Sequence, residues 1–183
     1  MKIYRVNEIF YSLQGEGFYT GHAAIFVRFA GCNRACAFCD TDFAASTPMD
    51  AAAIVAAASA HEARHVVVTG GEPLLQLDKE LVDAFHRAGF FVQIETNGSL
   101  PVPEGVDWVT CSPKDAPWTI DRVDELKVVY QGQEVETLLE RFAPKVCYLQ
   151  PCSCANTPQV VEYILRHPHW RLSLQTHKYA NFQ

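Results

Sequence analysis

The chain has 183 residues, 49% of them hydrophobic, which suits one globular domain spanning 1–183 with a core of its own. A formal charge of −6, with 15 lysines and arginines scattered along the sequence, excludes the basic footprint of a nucleic acid partner and leaves a small molecule as the expected substrate. Seven cysteines, an odd number without regular spacing, fit metal or redox chemistry better than a disulfide framework.

Short β-rich runs alternate with helical segments along the chain. AAIFVRF (23–29) is the first expected strand. Thr47-Pro48 then opens an alanine-rich helix to Ala63, with the threonine as N-cap and the proline at the first helical position. HVVVT (65–69) is followed by a helix from Leu77 to Ala88 that stops at Gly89, and FFVQIET (90–96) by the connection 97–106, which has no room for a helix. DWVTCS (107–112), ELKVVY (125–130), a helix over Glu134–Phe142, KVCYLQ (145–150), a helix starting at Thr157-Pro158 and stopping near His167-Pro168, and RLSLQ (171–175) complete the order. The alternation predicts an α/β fold: an incomplete, TIM-like barrel of about six parallel strands with flanking helices, its site at the strand C-terminal ends. No run approaches the ~20 apolar residues of a membrane span, and MKIYRVNEIF lacks a secretory pattern. A cytoplasmic protein without membrane contact is expected.

Chemistry is expected in the loop after 23–29, where GCNRACAFCDTDF sets Cys32, Cys36 and Cys39. Four cysteines close a structural zinc site or an ordinary iron–sulfur cluster, whereas three leave one metal position open, as catalysis needs. A zinc or redox site completed by a remote residue is the plainer alternative. TGGEP (69–73) follows the next strand, and its glycines would let backbone carbonyls approach a ligand closely; alone it reads as an ordinary strand-to-helix turn.

Together, CxxxCxxC and TGGEP on consecutive strand ends resemble the radical S-adenosylmethionine (SAM) superfamily. In those enzymes three cysteines hold a [4Fe–4S] cluster, SAM chelates the fourth iron, and the reduced cluster cleaves SAM to a 5′-deoxyadenosyl radical. EIFYSLQGEGFYTG (8–21), CDT (39–41), IETNG (94–98), SPK (112–114), LQP (149–151) and QTHK (175–178) resemble, in order and over essentially the whole chain, the 7-carboxy-7-deazaguanine synthase family. The resemblance implies a carbon–nitrogen lyase of queuosine and 7-deazapurine biosynthesis. It would convert 6-carboxy-5,6,7,8-tetrahydropterin to 7-carboxy-7-deazaguanine with loss of ammonia, using the cluster, SAM and Mg²⁺. It also implies a flavodoxin- or ferredoxin-type reductant and a homodimer that covers an apolar surface beside the barrel opening.

The same resemblance assigns residues. Cys32, Cys36 and Cys39 would bind the cluster, and the Thr41 hydroxyl would offer hard Mg²⁺ an oxygen ligand. Phe38, Cys39, Asp40, Gly71, Ser112, Pro113, Lys114, Gln150, Pro151, Cys152 and Ser153 would line SAM. The pterin would meet Leu13, Gln14, Gly15, Arg28, Thr69, Glu95, Thr176 and His177, with Gln175 and the chain end closing the pocket. Arg28 could fork onto the substrate carboxylate and Glu95 could accept from an aminopyrimidinone edge, although each could equally be a plain ion pair. Cys152 stands where the family pattern leads one to expect an apolar residue.

Cys111, Cys147, Cys152 and Cys154 could supply a second cluster, but buried structural thiols are expected. His61, His65, His86, His167 and His169 are expected at helix surfaces or ends. Two other functions compete: a glycyl-radical enzyme activating protein, which shares CxxxCxxC without SLQGEG or CDT, and an iron–sulfur electron carrier, for which an open ligand position is wasted.

Overall fold

The computed structural model describes every residue except 1, 38, 40, 41 and 43. The elements, in chain order, are β1 (Ile3–Leu13), β2 (Ala23–Phe29), β3 (Thr47–Asp50), α1 (Ala51–Ser59), β4 (His65–Gly70), α2 (Lys79–Arg87), β5 (Phe91–Thr96), β6 (Trp108–Cys111), β7 (Glu125–Tyr130), α3 (Glu136–Phe142), β8 (Val146–Pro151), α4 (Thr157–Arg166), β9 (Arg171–Leu172) and α5 (Thr176–Ala180). The strands form one sheet ordered β3-β1-β2-β4-β5-β6-β7-β8-β9. From β2 to β9 every pairing is parallel, while β1 runs antiparallel to both β2 and β3. The chain is therefore an α/β protein with a mostly parallel sheet.

Two strands stand where none was expected. β1 shows a period-2 burial pattern at its start, with Tyr4 and Val6 buried and Ile3 and Arg5 exposed. A bulge between Val6 and Glu8 then reverses its parity. As a result Tyr4 and Val6 join the main core, whereas Phe10 packs in a separate small cluster with Phe26 and Val67 on the other face. Thr47-Pro48 does not start a helix. It lies in β3, with Pro48 paired to Arg5, at the sheet edge where a missing amide hydrogen is tolerated. The cap of α1 is Asp50, which accepts from the Ala53 amide at 2.8 Å, and the helix ends at Ser59 rather than Ala63. Asp78 likewise caps α2 ahead of Lys79, so that helix is shorter than the expected 77–88.

The two faces of the sheet have different partners. Ile25, Val27, Val66, Val68, Val92, Ile94, Val109, Leu126, Val128 and Leu149 pack with Ile54 of α1, Leu81 and Phe85 of α2, Phe142 of α3 and Val160 of α4 in one core. Each fully buried aliphatic side chain there contributes roughly 1.5–3 kcal/mol. The residues between them, at 26, 28, 69, 95, 127 and 150, turn to the other face. Residues 112–124 cross from β6 to β7 without a helix, a second helix-free connection beyond the expected one at 97–106.

The segment between β1 and β2 plugs the N-terminal end of the parallel strands. It is closed on itself by the Gln14 amide donating to the His22 carbonyl and the Gly21 amide to that of Gln14, both at 2.8 Å. Phe18 stacks on Trp108 with ring centres 4.9 Å apart, and Tyr19 meets His65, Phe91 and Trp108 edge-on. His65, expected at a helix surface or end, instead begins β4 and bonds Gln93 at 2.9 Å. Gly17 (φ +68°) donates to the Ser173 hydroxyl, and the next amide, Phe18, donates to Glu125.

A Cβ on Gly17 would run into the Glu125 carboxylate, and the left-handed backbone penalises any side chain as well. Gly17→Ala is therefore expected to lose roughly 2 kcal/mol or more of stability. Gly21→Ala, also left-handed at φ +86° but with open space around it, should lose only about 1 kcal/mol. Denaturant midpoints compare the two directly.

Candidate active site

The inner face of the sheet opens onto a cavity of about 940 Å³. Its upper wall is the cysteine loop: Cys32, Cys36 and Cys39 all line it, beside Gly70 and Gly71. Among the described residues no three His, Cys, Asp or Glu side chains close on a common point as a metal site. The TGG glycines have a reason beyond ligand access. Added Cβ atoms would strike the Phe29 carbonyl at Gly70, and the Gly31 carbonyl and the Cys32 Cβ at Gly71, so the turn is pressed against the start of the cysteine loop. Below it Glu72, fully buried, accepts from the Thr96 hydroxyl (2.7 Å) and the Leu74 amide (3.0 Å) on one oxygen and from the Asn97 amide (2.8 Å) on the other. Burial pushes its carboxyl upward in spite of these donors. Asn97 also donates to Asn33 at 2.9 Å, tying the cysteine loop to the end of β5.

The floor is a charged cluster. Lys127 Nζ lies 2.6 Å from Glu16 Oε2 and 2.8 Å from Glu95 Oε2. Gln14 donates to Glu95 Oε1 at 2.9 Å and Gln175 to Glu16 Oε1 at 3.0 Å. Burial alone would depress Lys127, but Glu16, Glu95 and Glu125 together raise it well above the usual lysine range. Burial would also raise Glu16, and Lys127, together with the Gln175 hydrogen bond and His177, more than reverses this, holding it below the ordinary carboxylate value. Glu125 moves the other way: burial raises it, Lys127 pulling down and Glu95 pushing up. Its Oε1 has no hydrogen-bond partner among the described residues.

Most residues singled out in the sequence meet at this cavity. Leu13, Gln14, Gly15, Thr69, Glu95 and His177 line it, as do Ser112, Lys114, Gln150, Pro151, Cys152 and Ser153. Arg28 lines it too, but its Nε already donates to Glu8 across the β1–β2 ladder at 2.7 Å. Lys114 donates to the Ser112 carbonyl and hydroxyl, and burial lowers its pKa. Two assignments differ. Pro113 faces a neighbouring cavity, which Cys36 also lines. Thr176 directs its amide and hydroxyl to the Gly15 carbonyl, at 3.0 and 2.8 Å, and so fixes α5 to the loop after β1 instead of lining the cavity. Phe38, Asp40 and Thr41 lie outside the described residues.

Four further residues had not been singled out. Lys127 and Glu16 form the floor, and Lys127 had a signal: a charged residue inside the apolar run ELKVVY. Glu72 joins the ends of β4 and β5. Asn156 accepts from the Cys152 amide at 2.8 Å and donates to the Tyr130 carbonyl at 2.7 Å, holding the turn in which Ser153 and Cys154 adopt left-handed φ of 47° and 64°. Cys111 and Cys147 are buried in the core, the Cys111 thiol pushed up to about 12 by burial, while Cys152 and Cys154 sit half-buried in this turn.

Parallel strands, an open three-cysteine loop and a glycine turn beneath it define a radical SAM fold, and the chain matches the family described as "Radical SAM superfamily" over residues 26–129. It is 54% identical to the 7-carboxy-7-deazaguanine synthase of Bacteroides thetaiotaomicron, covering 95% of this chain and 96% of that one. The synthase of the same name from Bordetella pertussis is 48% identical, with 96% and 97% covered. A crystal structure of QueE from Escherichia coli superposes with a TM-score of 0.80 at 32% identity, covering 94% of this chain and 93% of that one. The chain belongs to the 7-carboxy-7-deazaguanine synthase family.

Removing the Glu72 carboxylate would leave a hydroxyl and two amides unpaired in a buried place. Glu72→Ala is expected to lower stability by about 3 kcal/mol or more, with Glu72→Gln intermediate because its carbonyl still accepts. Thermal unfolding of the three proteins under one condition gives the order.

Proposed function

We infer that this protein is a radical SAM carbon–nitrogen lyase that converts 6-carboxy-5,6,7,8-tetrahydropterin to 7-carboxy-7-deazaguanine with loss of ammonia, in queuosine and 7-deazapurine biosynthesis. One observation carries the reading: a single cavity joins the three thiols and the TGG turn to a polar floor built from Gln14, Glu16, Glu95 and Lys127. An electron carrier has no use for such a floor. A glycyl-radical activating protein needs a groove for a polypeptide, and the full-length kinship to the synthases does not favour it.

The residues suit the cofactors. Three soft thiolates on one loop fit a [4Fe–4S] cluster whose remaining iron stays open for SAM. When bound, the cluster and SAM supply the one-electron reduction and the hydrogen-abstracting radical. SAM would lie along Gly71, Ser112, Lys114 and Gln150 to Ser153, and Phe38, Cys39, Asp40 and Pro113 are the further residues we assign to it. Mg²⁺ completes the cofactor set, and Thr41 is the hydroxyl we assign to it.

The chain's own residues bind, orient and exclude water. Arg28 offers its outer guanidinium nitrogens to the substrate carboxylate while Glu8 fixes its stem. Thr69 and Leu13 to Gly15 shape the ring site, and Glu95 accepts from the aminopyrimidinone edge. His177 packs over Gly15, with a Cβ there falling 2.6 Å from its Nδ1, so α5 closes the pocket from that side.

The architecture we favour is an incomplete barrel in a single domain over 1–183: β1 and β2 on one side and β7 and β8 on the other line one cavity, which requires the sheet to curl. A flavodoxin- or ferredoxin-type protein would deliver the electron. A second copy would cover an apolar surface beside the opening, giving a dimer by light scattering; Leu165 of α4 (78%) and Tyr179 of α5 (60%) are the most exposed large apolar side chains among the described residues. Among the described residues no helix is long and apolar enough to cross a membrane.

Anaerobic reconstitution with SAM, Mg²⁺, a reductant and 6-carboxytetrahydropterin tests the assignment. The expected outcome is 7-carboxy-7-deazaguanine and ammonia in equal amounts, and loss of both product and brown chromophore in Cys32→Ala, Cys36→Ala or Cys39→Ala. Formation of 5′-deoxyadenosine without the deazaguanine would contradict the substrate, and absence of SAM cleavage would contradict the enzyme class.

A further inference from the structure

Lys127 is an expensive residue to place where it stands. It is 3% exposed, on a strand whose neighbours Leu126 and Val128 belong to the apolar core. Removing an ammonium and its carboxylates from water costs several kcal/mol per ion, and an apolar replacement of similar volume is often at least as stable. Stability alone does not account for it. Its surroundings do: two carboxylates share the one ammonium, and each carboxylate is held at its other oxygen by a glutamine amide, Glu95 by Gln14 and Glu16 by Gln175. All five side chains line the cavity. Two carboxylates and one cation leave the floor acceptor-rich and negative, and each carboxylate oxygen has lone pairs beyond the single bond that the protein makes to it.

We propose that Lys127 is a positioning residue for the substrate's donor edge: it fixes the orientation of Glu16 and Glu95, which together accept the N–H groups of an aminopyrimidinone ring. The inference rests on the pterin reading of the cavity and adds to it the residue that prepares the recognition surface. Lys127 acts through the carboxylates rather than on the reacting atoms. A guanidine-like edge with several N–H donors matches two fixed acceptors, whereas an edge with acceptors alone would meet unpaired negative charge.

Charge in this floor has several neighbours. Glu125 lies on the same strand, Lys114 follows β6, His177 and Lys178 come from α5, and Arg28 from β2. Of these, Lys127 is the cation bonded to both carboxylates. With Lys127 present, Glu16 sits below its ordinary value and stays ionised through neutral pH. Without it, burial acts on Glu16 unopposed by the strongest cation, its value rises, and the carboxylate takes up a proton as pH falls. A protonated carboxyl accepts less well, so substrate binding should weaken toward acid in the variant and not in the wild type.

The test measures the Kd of 6-carboxytetrahydropterin by anaerobic calorimetry at pH 6 and pH 8, with KM and kcat alongside. For Lys127→Met the expected ratio of variant to wild-type Kd is about tenfold or more at pH 8, growing by about a further tenfold at pH 6. The loss should fall on Kd and KM more than on kcat, and Lys127→Arg should recover to within about threefold of wild type. If Lys127→Met does not fold, Lys127→Met combined with Glu95→Gln removes opposite charges together and must show the same acid-side weakening through Glu16. A Kd ratio that is the same at both pH values, or an arginine variant as weak as the methionine one, overturns the proposal while leaving the substrate assignment standing. Failure of the wild type to bind the pterin acid overturns both.

Discussion

A β-strand sends alternate side chains to opposite faces, and the sheet face that this protein's site is built on depends on that constraint. Along β2, β4, β5, β7 and β8 one set of alternate residues is mostly valine, isoleucine and leucine, buried under the helices. The other set includes Arg28, Thr69, Glu95, Lys127 and Gln150, and these line the cavity. A shift of one residue in any strand would exchange the two sets, burying charge beneath helices and opening aliphatic groups to the cavity. The apolar face thus fixes the register, and the register delivers the polar groups to the site. The bulge in β1 works within the same constraint, letting one strand serve the helical core with Tyr4 and the cavity face with Glu8 and Phe10.

Polar groups on that face are held by one another and by the two ends of the chain's path. The loop after β1 enters from one side with Gln14 and Glu16, and the segment before α5 from another with Gln175. Thr176 then clamps the two segments together at Gly15. At the top, Glu72 and the Asn97–Asn33 pair do the same for the strand ends and the cysteine loop. The site is therefore assembled from loops whose positions are set by buried and partly buried hydrogen bonds, those to Glu72 the costliest to leave unmade.

The parts legible in the sequence were those whose signal is local. The parallel strands show as short apolar runs, the cysteine loop as a spacing, and TGGEP as a turn; all lie where they were expected except the last strand, which covers Arg171–Leu172 rather than 171–175. β1 and β3 were missed for different reasons. β1 carries a strand pattern interrupted by its bulge, and Thr47-Pro48 is a helix start by local preference that edge pairing with β1 overrides. The helix-free crossover at 112–124 had no positive signal at all. Lys127 could be suspected as a charge within an apolar run. Its partner Glu16, 111 residues away in sequence, becomes visible only when the loop after β1 is folded under the strands. The TGG glycines also have a second reason that the sequence did not show, the approach of the Phe29 and Gly31 backbone.

What unites these observations is the claim that the polar inner face seats a pterin between the Arg28 side and the Lys127 cluster, with SAM along the cysteine-loop side. An anaerobic crystal structure of the reconstituted protein with SAM and 6-carboxytetrahydropterin measures this most directly. The account predicts the ring's N–H edge within hydrogen-bond distance of Glu95 and Glu16, and the substrate carboxylate toward Arg28. A pterin bound with its ring edge away from these carboxylates, or outside the inner face of the sheet, would contradict it.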